Sequence, residues 1–270
     1  MAIVTVIWGV ALLSTIAVSF LWTATGSHRL VRNSLDLTRM EALSEAAVHR
    51  AALGLLESRP AARWRRDGVP YEFSFDGIPI TVRVQDELGR IDVNRADGSL
   101  LIRLFESAGL DAQSASVLVD RILDWRDTGP LKRLNGAKER EYRDAGYAYR
   151  PRSGAFQSLD ELKLVLGMTP DLFRRVERAL TIYSGRQFID AAVAPREVLL
   201  ALPNADGSSV DGQIASRTAE TVASALPLPG RAFTVATRFH QSDRTVGHDA
   251  VIRMTDDPVK PFWILSWKVR

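Results

Sequence analysis

The sequence contains no cysteine, which excludes disulfides and any thiolate nucleophile or metal ligand. Cysteine usage does not fix the compartment, because oxidising compartments also hold disulfide-free proteins. Histidine is scarce: His28, His49, His240 and His248 are scattered along 270 residues. No serine, histidine and acid sit together in a recognisable motif, and neither HExxH nor a glycine-rich phosphate loop is present. His240 and His248 flank a loop between two strand-like segments, but two ligands are too few for a zinc site. No enzymatic activity is therefore expected. Charge is missing from the start of the chain, where the first formal charge is Arg29. The net charge is only +3, although the pI is about 9.4, and that excess is too weak to argue for nucleic acid.

What fills the charge-free stretch, residues 1–28, is an apolar run from Ala2 to Trp22. About 20 such residues cross the hydrocarbon core of a bilayer as a helix. Trp22 stands at the position of an interfacial aromatic, with Arg29 and Arg32 beyond it. A cleaved signal would have a basic start and a shorter apolar core. A soluble core helix would carry a polar stripe, and none appears before Ser27. A single membrane anchor is expected, since near-zero mean hydropathy over the whole chain excludes several spans.

The helical pattern continues without proline from Leu30 to Leu56. Leu37, Met40, Ala47, Ala51 and Leu55 recur at helical steps, and Arg32, Asp36, Arg39, Glu45 and Arg50 take other faces. Together with the apolar run this predicts one helix of about 55 residues, roughly 80 Å long, ended by Pro60. Arg63-Trp64-Arg65-Arg66 then reads as a solvated loop rather than a phosphate contact. Tyr71, Phe73 and Phe75 alternate before Asp76-Gly77, and Ile78, Ile80, Val82 and Val84 alternate after it, which is a hairpin pattern.

From Asp86 to Gly185 the pattern becomes helical. Helices are expected over Leu100–Ser107 and Ser114–Trp125, with irregular chain from Arg126 to Ser153. Ser158-Leu159-Asp160-Glu161 reads as a capping box, and Thr169-Pro170-Asp171 as the start of a helix running to about Ser184. An internal echo follows: Ile91-Asp92-Val93-Asn94 and Ile189-Asp190-Ala191-Ala192 each read as a short strand entering a leucine-rich helix. Residues 204–212 read as a loop. Three returning strands then extend the hairpin, interrupted at Asp243-Arg244 and Asp256-Asp257-Pro258, which predicts a sheet of about five strands. The fold class is α+β: a long N-terminal helix packed on a small antiparallel sheet, with a large helical insert between strands.

In this order, AIVTVIWGVALL, DELGRIDVN, ILDWRD, LNGA and FQSLDELKLVLGMT resemble the protein K family, a minor pseudopilin of the type II secretion system. The resemblance covers nearly the whole chain and implies a pilin-like fold. Its parts would be a transmembrane half of the helix (1–28), a periplasmic half (29–59), the first hairpin (60–93), a helical insert (94–215) and returning strands (216–270). It implies a single-pass protein of the bacterial inner membrane with a periplasmic C-terminal domain. Its partners would be the minor pseudopilins I and J at the pseudopilus tip, the major pseudopilin, and the prepilin peptidase that removes a basic leader and exposes a residue that is often methylated. If Met1 is the first mature residue, the fifth is Thr5, where most pilin-type proteins carry a glutamate. Thr5 has no carboxylate for a neighbour's N-terminal ammonium, which suits a terminal subunit and spares the cost of an unpaired carboxylate in the bilayer. The expectation is either that the chain is mature or that its start lies downstream of the leader. Arg29 and Arg32 alone would place the wrong end in the cytoplasm.

The resemblance further implies a calcium site after the Asp-Trp motif. Asp124 and Asp127 match, and Glu139, Glu141 and Asp144 lie near, but Gly129, Pro130 and Lys138 stand where acids are usual. Calcium takes six to eight oxygens, so either a reduced site or a salt-bridged loop using Arg126, Lys132 and Arg133 is expected. The insert also resembles helix-hairpin-helix modules, some of which are membrane-tethered and bind DNA. The corresponding turns, Ala108-Gly109-Leu110-Asp111 and Leu166-Gly167-Met168-Thr169, lack the second glycine, and Asp111 would repel phosphate. A helical protein-contact surface is the preferred reading, with no nucleic acid expected.

Overall fold

The computed structural model describes residues 2–218, 228–241 and 244–270, and at 20–33, 241 and 244 the backbone alone. It divides into two compact units, Met1–Ala47 and Val48–Arg270. One α-helix, α1, runs from Ala2 to Leu56. Within it Ala2–Ser19 has a mean hydropathy of 2.2 and side chains that face outward, so it is a candidate membrane anchor. The side chains of Trp22, Arg29 and Arg32 lie outside the described residues. Leu37, expected on the apolar face, is instead exposed, whereas Ala51 and Leu55 are buried.

The second unit begins with the last turns of α1, where Val48, Ala51, Ala52 and Leu55 are buried. The helix ends before Pro60, which opens a short 3-10 turn, Pro60–Ala62. The Arg63–Arg66 segment that follows is not a solvated loop. Trp64 is 9% exposed, stacks on Tyr71 with ring centroids 4.3 Å apart, and donates its backbone N–H to the Gly54 carbonyl. The guanidinium of Arg50 lies over its indole. This packing needs Gly54, because a Cβ there would lie 2.5 Å from the indole ring.

The hairpin follows as β1, Asp67–Phe75, and β2, Ile78–Asp86, antiparallel with Phe75 opposite Ile78. Asp76 and Gly77 both take positive φ, the turn that matches strand twist. Ile80, Val82 and Val84 alternate inward along β2. After Asp86 the chain leaves the sheet for the insert. There β3, Ile91–Asp92, is followed by α2, Gly98–Ser107, and α3, Ala112–Arg126, capped by the carboxylates of Asp97 and Asp111. Gly109 between them has φ +98. A short helix, α4, Glu139–Asp144, forms inside the stretch expected to be irregular.

Ser158 caps a 3-10 helix, Leu159–Leu164, rather than an α-helix. Glu161 does not close a capping box, because its carboxylate accepts instead from the Gln157 backbone and from Arg152. Thr169 caps α5, Pro170–Val176, with proline in the first turn as expected. That helix stops well short of Ser184. Leu180–Thr181, β4, pairs in parallel with β3, and the Ala179 carbonyl accepts from the Ile91 N–H at 2.8 Å. The competing pairing of distant backbone ends the helix.

Next come α6, Arg196–Leu200, and α7, Gly207–Ala215. The latter lies where a loop was expected. Asp206 accepts from the Ser208 and Ser209 N–H groups and Val210 is buried, so a cap and one apolar anchor outweigh a serine- and glycine-rich composition. The chain then returns as β5, Ala232–Gln241, β6, Arg244–Met254, and β7, Phe262–Val269. Asp243 lies outside the described residues. The sheet has the order β1-β2-β5-β6-β7 and all its pairs are antiparallel. The five-stranded α+β arrangement expected from the sequence is present. The insert has its own core, in which Leu101, Phe105, Ile122, Tyr142, Leu162 and Leu180 are fully buried.

Gly54→Ala should destabilise the fold. Alanine in a helix interior gains about 0.5–1 kcal/mol over glycine, but displacing the Trp64 indole should cost about 1–3 kcal/mol. Denaturant unfolding checks the sign.

Candidate functional site

The segment Asp86–Asn94 joins the sheet to the insert, and its polar side chains are buried. Asp86, 0% exposed, accepts from the Leu88 N–H at 3.0 Å and from the Arg231 guanidinium, with Arg66 Nε 3.8 Å away. Burial pushes its carboxyl up to about 6, against the pull of both arginines. Burial, with Arg231 close by, also lowers the Arg66 guanidinium. Glu87 accepts from the Thr234 hydroxyl at 2.6 Å and from Arg90 at 3.2 Å. The Gln85 amide donates to the Val193 carbonyl at 2.7 Å. Gly89 lets the same backbone approach, since a Cβ there would lie 2.5 Å from the Val193 carbonyl oxygen. Arg217 reaches the region from the far side and donates to the Ala191 and Ala194 carbonyls.

The remaining motifs satisfy one another. Asn94 behaves as a piece of strand: its amide donates to the Phe156 carbonyl at 2.9 Å and its oxygen accepts from the Phe156 N–H at 2.7 Å. Asp92 accepts from the Gly185 N–H and the Ser184 hydroxyl. Trp125 lies nearly parallel to Phe156 and close to Tyr142. Arg126 donates to the Val93 and Ala96 carbonyls, not to the acidic loop. Tyr142, in α4, accepts from the Leu166 N–H, and burial pushes its hydroxyl up to about 12. The internal echo is structural in part. Asp92 and Asp190 each accept from the N–H two residues on and stand equally far ahead of α2 and α6. The second copy is a turn without a strand. Its helix packs near the first, where Arg103 donates to the Ala201 carbonyl.

The five acidic residues of the calcium expectation are not gathered around one point. Asp124 is fully buried and accepts from the Arg133 guanidinium at 2.8 Å and the Arg133 N–H at 3.1 Å. The same guanidinium reaches Asp127 at 3.2 Å. The carboxyl of Asp127 sits below its ordinary value, chiefly through the Gly129 N–H and then through Arg133. The Lys138 ammonium donates to the backbone carbonyls of Asp124 and Asp127, each at 2.9 Å. Glu141 accepts from the Lys138 N–H and pairs with Lys132, Glu139 pairs with Arg143 and Arg150, and Asp144 pairs with Arg140. Gly136 completes the loop: a Cβ there would lie 1.9 Å from an Asp124 carboxylate oxygen. Among the described residues no group of three or more histidines or acids is placed to hold a metal ion. His240 contacts the Thr245 hydroxyl, and His248 is buried beside Trp267. Thr5 bonds its hydroxyl to the Ala2 carbonyl, and Met1 lies outside the described residues. At the first of the two turns compared with helix-hairpin-helix modules, Asp111 caps α3.

What this arrangement defines is a helical insert set into an antiparallel sheet, with many of its polar side chains partnered within the chain. Residues 84–185 match the family model for type II secretion system (T2SS), protein K. The fold is also that of a chain in the crystal structure of the GspK-GspI-GspJ complex from the enterotoxigenic Escherichia coli type 2 secretion system. The TM-score is 0.68 and the identity 16%, over 89% of this chain and 99% of that one. No curated protein sequence matches.

Three outcomes follow from this geometry. Gly136→Ala should lower stability by about 1–3 kcal/mol, because the new methyl meets a carboxylate that cannot retreat. Gly212→Ala, where a Cβ meets nothing within 4 Å, should be neutral or stabilising in the same unfolding measurement. Asp86 is neutral in both folded and unfolded states below its ordinary value of 3.8, and its buried form ionises only near 6. As pH rises through that window the wild type should lose stability relative to Asp86→Asn. Melting temperatures of the pair across this range check the sign, and a relative gain by the wild type would contradict it.

Proposed function

We propose that this chain is a non-enzymatic minor pseudopilin that forms the tip of the pseudopilus with pseudopilins I and J and supports export across the outer membrane. The observation that carries this reading is the family match over residues 84–185, which contains the segment Asp86–Asn94, the Asp-Trp motif and the loop after it. The fold shared with a chain of a protein K, I and J complex supports the choice of partners. An exposed apolar helix, Ala2–Ser19, suits an anchor in the inner membrane that later packs among similar helices, with the sheet and insert in the periplasm. Thr5 suits the terminal position, because its hydroxyl is occupied within its own helix and it brings no carboxylate to a neighbour. Processing by the prepilin peptidase, N-terminal methylation and contact with the major pseudopilin follow from the same reading.

The ionic pairing within the insert favours a protein contact over DNA. Arg133, Arg143, Arg152 and Arg196 are each paired with a carboxylate, which leaves them less available to phosphate.

The residues from Arg29 onward should co-elute with the soluble domains of I and J in size-exclusion chromatography at micromolar concentration. Separate elution would remove the main support for the tip assignment. Steep salt-dependent binding to duplex DNA would favour the tethered DNA-binding alternative instead.

A further inference from the structure

We infer that the loop after the Asp-Trp motif is held by a cation of its own, the Lys138 ammonium with the Arg133 guanidinium, in the role that the family resemblance assigns to calcium. A divalent cation needs several oxygens free to converge on it. Here the backbone carbonyls and the carboxylates of the two matching aspartates already have donors. The carbonyls of Asp124 and Asp127 accept from Lys138 Nζ, each at 2.9 Å. The carboxylates of the same two residues accept from Arg133 Nη1, at 2.8 and 3.2 Å.

The charges balance: two aspartates face one ammonium and one guanidinium. A calcium ion added among them would meet two fixed cations, and in a partly buried site that repulsion is weakly screened. The positions also explain the substitutions. Gly129 donates its N–H to Asp127, and Lys138 stands where an acidic ligand is usual. Glu141 accepts from the Lys138 backbone N–H and pairs with Lys132. The lysine stem therefore ties the end of α3 to the start of α4. The loop between them, which carries the outward-facing Leu131 and Leu134, keeps its form without a metal.

The test uses the full chain in detergent with calcium chloride or EGTA. The melting temperature of the wild type should be the same in both, and titration calorimetry with calcium should show no binding. Lys138→Met, which keeps the stem and removes the charge, should lower the melting temperature by several degrees and speed amide exchange over residues 127–138. Calcium-dependent stabilisation of the wild type, or stoichiometric calcium binding, would overturn the inference. So would a Lys138→Met variant with unchanged stability and unchanged exchange in this loop. If that variant fails to fold, the calorimetry on the wild type still decides. None of these readouts depends on assembly with I and J, so the inference fails or stands apart from the tip assignment.

Discussion

The interaction on which the structure turns is the buried contact of Asp86 with Arg231 and Arg66. Asp86 is the last residue of the hairpin before the insert, and Arg231 is the residue before the first strand after it. Arg66 enters from the chain that follows the long helix. One ionic group therefore binds the entry to the insert, the exit from it, and the approach to the sheet. Removing a carboxylate from water costs several kcal/mol, and its partners only offset that cost when the geometry is good. Truncating the aspartate leaves two buried guanidinium groups without it, at a cost of about 3–5 kcal/mol.

From that closure the remaining motifs follow as one network. Gln85 and Gly89 seat the backbone near Val193, Asn94 pairs with Phe156, and Asp124 fills the space that Gly136 leaves. At the other margin of the sheet, Lys268 reaches Asp160 and Arg270 reaches Glu177. The insert is thus fastened to the sheet at both β2 and β7. Many of the insert's polar side chains are thus partnered within the chain itself.

Much of this was legible where the signal is local. Asp76-Gly77 between alternating apolar residues specifies a hairpin, and Thr169-Pro170 specifies a helix start, because each acts through backbone angles within a few residues. The return of the last strands to the first hairpin was legible from alternation. The burial of Trp64 and Arg66 was not, because it depends on Gly54 in the helix and on Asp86 across the sheet. The early end of α5 was equally hidden, since β4 exists only by pairing with Ile91-Asp92, far back in the chain. The helix α7 carried a readable cap in Asp206, outvoted by its serines and glycines. In the acidic loop the residue types were visible, but the meeting of Lys138 with two carbonyl oxygens depends on backbone geometry that composition does not encode.

The most direct measurement of the central claim is native-state hydrogen exchange on Asp86→Ala. If the aspartate makes the sheet and the insert one cooperative unit, amides of β2 and β5 and amides of α2 and α3 should lose protection together, by a similar factor. Loss of protection in the sheet with full protection retained in the insert would contradict the account.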